Sequence, residues 1–83
     1  MHDVVVFSKP GCHLCEKVIA ELEGLKQDVG HFTLNVKDIT TDTGVFEKYF
    51  LNIPVVQVDG KDVFEATNLS DPEKWEKLIS YLG

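Results

Sequence analysis

The chain has 83 residues, 43 % of them apolar, and a formal net charge of −6, from 14 Asp and Glu against 8 cations that are all Lys. One domain over 1–83 is expected, because a chain of this size buries somewhat over ~60 % of its unfolded surface and folds without staples. An acidic chain without Arg excludes the basic patch of a nucleic-acid binder and disfavours anionic membranes, and two cysteines are too few for a secreted disulfide scaffold.

The Val4–Phe7 run is continuous, β-branched and aromatic, and predicts a central strand covered on both faces. It is far too short for a signal-peptide core or a membrane span, so a soluble cytoplasmic protein is expected. After the Pro10-Gly11 turn, Cys15, Val18, Ile19, Leu22, Leu25 and Val29 recur at helical spacing, predicting a helix over 13–29 that stops at Gly30. Phe32, Leu34 and Val36 alternate with polar residues and predict a strand with one buried face near a sheet edge, ended by Ile39.

Asp42 is placed to cap a short helix whose stripe is Val45, Phe46, Tyr49 and Phe50. Val55–Val58, the Asp59-Gly60 turn and 61–65 predict a β-hairpin, since Asp-Gly accepts the positive φ of a tight turn. In the last helix Ser70 and Glu73 have capping-box spacing, Pro72 suits the first turn, and Trp75, Leu78, Ile79 and Leu82 form one apolar face. Trp75, Phe46 and Phe50 are read as core side chains rather than a stacking platform.

The order β-α-β-α-β-β-α, with a parallel pair joined by a helix and an antiparallel hairpin, predicts a thioredoxin-like α/β fold: a four-stranded mixed sheet and three helices. Cys12 falls directly after the first strand and at the tip of the first helix. There the unpartnered N–H groups carry partial positive charge and favour a thiolate. Cys12 is therefore the expected attacking thiolate, with Lys9 and His13 stabilising it, and Cys15, a turn further in on the apolar stripe, is the resolving thiol. Lowering a thiol pKa from about 8.5 to about 6.5 raises the neutral-pH thiolate fraction about 25-fold but weakens each thiolate about 8-fold. The net gain in attack is about 3-fold.

A passive four-residue disulfide would leave most of the chain unconstrained. Zinc needs four ligands, and beyond the cysteine pair only His2, His13 and His31 offer soft donors, so no self-contained metal site and no bound cofactor are expected.

Lys9-Pro10-Gly11-Cys12-His13-Leu14-Cys15 after a strand, the 38–42 approach to the second helix, Asn52-Ile53-Pro54 before the third strand, and Val58-Asp59-Gly60-Lys61 at the hairpin resemble the glutaredoxin-like branch of the thioredoxin superfamily over nearly the whole chain. The resemblance implies a cis Pro54 facing the cysteine pair, Ile53 pairing through its backbone with a substrate chain, and Lys9 beside the attacking thiolate. It also implies a dithiol-disulfide oxidoreductase in cell redox homeostasis and electron transport, with a reductase or glutathione as electron donor.

After the hairpin, where glutathione-binding relatives typically carry a Gly-Gly pair and then an acid, this chain reads Phe64-Glu65-Ala66-Thr67-Asn68. Side chains there obstruct close approach and the Glu65 carboxylate repels an anion, which argues against glutathione of the usual binding mode and for a neutral or basic disulfide partner near Glu65. Val6, six residues before Cys12, stands where thioredoxin proper has its buried acid. The competing class is a non-catalytic binding module, or a carrier sharing a metal or Fe–S cluster between chains. Colour, metal content and mass separate it from a colourless, metal-free, monomeric oxidoreductase acting on a protein or small-molecule disulfide.

Overall fold

In the computed structural model, residues 2–68 and 71–82 are described. Strand β1 (His2–Ser8) leads to helix α1 (His13–Val29), strand β2 (Phe32–Asp38), helix α2 (Thr43–Tyr49), strands β3 (Val55–Val58) and β4 (Lys61–Phe64), and helix α3 (Pro72–Leu82). The sheet order is β2-β1-β3-β4. β1 pairs with β2 in parallel and with β3 antiparallel, and β3 and β4 form the antiparallel hairpin. This is the thioredoxin-like arrangement expected from the order of elements.

Alternation along the inner strands separates two apolar clusters. Val4 and Val6 of β1 and Val56 and Val58 of β3 pack with Val18 and Leu22 of α1, Leu78 and Leu82 of α3, Phe32 and Phe64. Phe7 and Val55 instead join Cys15, Ile39, Tyr49 and Ile53. Both faces of β1 are thus covered, as its unbroken apolar run requires. A β-bulge between β3 and β4 sets Val56 opposite Phe64 while Gln57 stays opposite Asp62, so Phe64 reaches the first cluster and Asp62 shares a face with Gln57.

Chain punctuation follows from local chemistry. Gly30 ends α1 at φ 64°, and Asp59 (φ 53°) and Gly60 (φ 85°) make the hairpin turn. Asp42 caps α2 by accepting the Val45 N–H. At α3 the expected cap Ser70 lies outside the described residues, and the Asp71 carboxylate accepts the Glu73 N–H at 3.1 Å. Ile39 does more than end β2: it opens a 3₁₀ turn over Ile39–Thr41 and is fully buried.

Two burial expectations are corrected. Phe46 and Phe50 are 37 % and 45 % exposed and stack on each other, ring centroids 5.3 Å apart. Helix α2 has only seven residues and turns Val45 and Tyr49 to the sheet, so residues one position further round the helix face outward. Val36 is exposed as well. On the edge strand β2 it borders a groove lined by Glu23, Lys26 and Gln27, the polar side of α1, while Phe32 alone of the three alternating residues is fully covered. Trp75 packs edge-on to Phe64 as a core residue should.

The Asp59 carboxyl is held below the ordinary carboxylate range, first by the Asp3 N–H and then by a hydrogen bond from His2, whose Nδ1 lies 2.7 Å away. Asp38 is lowered likewise by the hydroxyl and N–H of Thr40. A carboxyl whose folded pKa is depressed contributes stability that is full above its unfolded value of about 3.9 and is lost as pH falls through the folded value. Urea midpoints should therefore hold steady in mildly acidic buffer and fall below pH ~4. Asp59→Asn should lower the neutral-pH midpoint and flatten the acid limb, and a variant with an unchanged acid limb would contradict this assignment.

Candidate functional site

The site begins where β1 runs out. Lys9 to Cys12 form a tight turn with Pro10 and Gly11 (φ 81°) in the middle, closed by the Cys12 N–H donating to the Lys9 carbonyl at 3.3 Å. Proline followed by a positive-φ glycine is the type II pattern, and it delivers Cys12 as the N-cap of α1 with an extended backbone. The Cys12 carbonyl accepts the Glu16 N–H, and its sulfur accepts the Cys15 N–H at 3.2 Å. The position occupied elsewhere by a Ser or Asp oxygen is here held by a sulfur.

Cys12 and Cys15 are joined as a disulfide, with their Cα atoms 5.2 Å apart. The two are unequal. Cys15 is 1 % exposed inside the second apolar cluster, whereas Cys12 is half-buried at its margin. A reagent from solvent meets Cys12 first.

The Ile53–Pro54 peptide is cis, the isomer the family resemblance implies. Pro54 is fully buried, and its neighbours Ile53 and Val55 share the cluster of Cys15, so the proline loop and the cysteine pair belong to one packed unit. The loop is pinned from two directions. The Tyr49 carbonyl accepts both the Asn52 N–H (2.8 Å) and the Ile53 N–H (3.1 Å), and the Asn52 carbonyl accepts the Ala66 N–H (3.0 Å).

The last of these bonds brings the segment after the hairpin to the proline loop. Glu65, half-buried, follows β4 directly; its N–H donates to Asn68 Oδ1 at 3.1 Å and its carbonyl accepts the Asn68 N–H. Lys9 and His13 are placed differently from the cysteines. Lys9 is exposed on the turn and forms no ion pair among the described residues. The His13 side chain is 94 % exposed and its Nδ1 lies 3.7 Å from Glu16 Oε2. Among the described residues no three His, Cys, Asp or Glu side chains gather as a metal-ligand set, and no helix is long and apolar enough to cross a membrane.

Tyr49 is the site-adjacent residue that sequence patterning reads only as apolar stripe. Its ring stacks on Phe7, centroids 4.5 Å apart, while its hydroxyl accepts from Gln57 Nε2 at 3.2 Å and lies 3.4 Å from both Asp62 carboxylate oxygens. The signal available was Gln57 itself, one polar side chain in an otherwise apolar strand.

A mixed four-stranded sheet with helices on both faces, a Cys-x-x-Cys pair at the first helix tip and a buried cis proline flanked by two residues of the cluster that holds Cys15 define the thioredoxin fold class. The sequence model of the "Glutaredoxin-like domain (DUF836)" matches residues 3–83, and the chain belongs to that family. Protein Ne2328 from Nitrosomonas europaea, solved by NMR, is similar at 27 % identity and TM-score 0.75, over 99 % of this chain and 92 % of that one. Oxidised thioredoxin from Plasmodium falciparum shares the fold at 19 % identity and TM-score 0.66, over 99 % and 82 % of the two chains. The holo form of glutaredoxin C1 from Populus tremula x tremuloides does so at 22 % identity and TM-score 0.59, over 95 % and 81 %. A search of curated proteins finds no match to the chain.

The unequal burial of the cysteines predicts the order of labelling. In the fully reduced native protein, iodoacetamide should modify Cys12, with Cys15 reacting only after denaturation. Peptide mass mapping that finds both modified at the same rate would contradict the geometry.

Proposed function

We propose that this protein is a dithiol-disulfide oxidoreductase in which Cys12 attacks and Cys15 resolves. The observation that carries the reading is the Cys12 sulfur at the N-cap of α1, accepting a main-chain N–H and bonded to a buried partner. A helix N-terminus stabilises an anion, so the same N–H and the partial charge behind it favour the Cys12 thiolate in the reduced state.

In the first step the Cys12 thiolate attacks one sulfur of a substrate disulfide, forming a mixed disulfide and expelling the other substrate sulfur as a thiolate. Cys15, once deprotonated, attacks the Cys12 sulfur, forms the Cys12–Cys15 disulfide and expels the second substrate thiolate. The substrate gains two electrons and, on protonation, two protons; the cysteine pair loses the same. A low Cys12 pKa keeps the attacking sulfur ionised for the first step, and in the second the substrate thiolate is the leaving group. Lys9 and the protonated fraction of His13 add positive charge near the turn when their flexible side chains swing toward it.

Ile53 and Pro54 form the docking edge for the substrate chain, and Glu65 borders it. That carboxylate favours a neutral or basic disulfide-bearing protein or small thiol over an anionic tripeptide, so a dithiol protein reductase is the preferred electron donor over glutathione. No bound cofactor is needed for either step, the protein works as a monomer, and a reducing cytoplasm is where such a pair would cycle.

Thiolate absorbance titrated against pH should show one group ionising well below 8 in the wild type and in Cys15→Ser, absent in Cys12→Ser. A Cys12 pKa at or above the free-thiol value of about 8.5 sinks the proposal. Cys15→Ser should also accumulate a mixed disulfide with substrate, and the wild type should be reduced faster by a thioredoxin system than by glutathione at equal driving force.

A further inference from the structure

Three features of Tyr49 converge on the segment that leads into Pro54. It is the last residue of α2 and the one buried residue of that helix, 6 % exposed. Its main-chain carbonyl accepts both amide groups that precede the proline, those of Asn52 and Ile53. Its ring lies in the cluster of Cys15, Ile53 and Val55, stacked on Phe7 at the end of β1. Its hydroxyl then reaches across to the hairpin, where Gln57 of β3 and Asp62 of β4 stand directly opposite each other.

The side-chain donors of this triad are all engaged within it. The two N–H donors of the Gln57 amide go to the Tyr49 oxygen (3.2 Å) and to Asp62 Oδ1 (2.7 Å), and the Tyr49 O–H is shared between the two Asp62 oxygens. A long loop carbonyl acceptor is only as well placed as the residue that carries it. Here that residue is fixed by stacking on one strand and by a charge-assisted network on two others.

We propose that Tyr49 is a positioning residue: its hydroxyl, locked by Gln57 and Asp62, holds the Tyr49 carbonyl against the Asn52 and Ile53 amides and so presents the Ile53–Pro54 edge to a substrate chain. The Ile53 N–H is thereby satisfied within the protein, and a polypeptide substrate meets this edge through the Ile53 carbonyl. The role concerns docking of a chain and leaves the sulfur chemistry at Cys12 untouched. It rests on the oxidoreductase reading for its functional half and on geometry alone for its structural half.

The test compares the wild type with Tyr49→Phe, which keeps the stacked ring, and Asp62→Ala, which removes an exposed partner without opening the core. Amide hydrogen exchange followed by NMR should show the Asn52 and Ile53 N–H groups exchanging about tenfold faster in both variants, the factor for losing one hydrogen bond to a charged group. With dithiothreitol as reductant, KM for insulin should rise by about the same factor while kcat, the rate with hydroxyethyl disulfide and the reduction potential stay at wild-type values. The double variant should be little worse than either single one. Unchanged exchange overturns the clamp. Faster exchange with unchanged KM overturns its role in docking, and a lowered KM would mean that Tyr49 holds Ile53 back from substrate, which overturns it equally. If the wild type reduces neither disulfide, the oxidoreductase reading has failed, and the exchange measurement still decides whether the clamp exists.

Discussion

The reactive end of the molecule depends on how the first turn of α1 begins. A helix start leaves several N–H groups without intrahelical partners, and the chain here disposes of them in a particular way. The Pro10-Gly11 turn uses the Cys12 N–H on the Lys9 carbonyl, and the Cys15 N–H goes to the Cys12 sulfur. An oxygen cap would fill the same place with the same geometry and no redox chemistry. Because the capping atom is a sulfur, the stabilisation that α1 draws from its cap and the stabilisation of a Cys12 thiolate are one interaction. The turn and the helix stop at Gly30 define a 17-residue helix whose reactive end cannot slide.

The second apolar cluster extends this coupling into the core. Cys15, Phe7, Ile39, Tyr49, Ile53 and Val55 come from the first helix, the first strand, the 3₁₀ turn, the second helix, the proline loop and the start of the third strand. A buried cysteine behaves as a small hydrophobe, so Cys15 fills the same space as a thiol or as half of a disulfide. Redox change at the pair can thus proceed without repacking the first cluster, which lies between the sheet and helices α1 and α3 and contains no residue of the cysteine-proline unit. The two neighbouring clusters share a sheet and divide its side chains by alternation along β1 and β3.

How much of this was legible depended on how local its cause is. β1, α1, the hairpin and the cap at Asp42 follow from periodicity, turn chemistry and capping within a few residues, and the structure places them within a residue or two of the expected ends. The cysteine pair at a helix tip was legible for the same reason. Phe46, Phe50 and Val36 were misplaced because a periodic stripe shows which side chains line up, while the width of the covering layer is set by distant elements. Of the Tyr49, Gln57 and Asp62 network, patterning marks only Gln57, a polar side chain in an apolar strand. The members of the network come from a helix and two strands, and the fold alone brings them together.

On the proposed function, hydrogen bonding and charge in the segment after the hairpin reinforce one another in selecting a partner. Three of the segment's backbone donors are already engaged: the Glu65 N–H by Asn68, the Ala66 N–H by Asn52 and the Asn68 N–H by the Glu65 carbonyl. An anionic ligand approaching here would need to displace internal bonds to gain main-chain donors, and it would do so beside the Glu65 carboxylate on a chain of net charge −6. Both terms act in the same direction. On the proposed function, an extended segment of a neutral or basic polypeptide would meet neither obstacle, gaining its contacts from the Ile53–Pro54 edge. The bonds that tie Ala66 to Asn52 and Asn52 to Tyr49 therefore do two things at once: they hold the Ile53–Pro54 loop in place and they engage main-chain donors that an anion would otherwise meet.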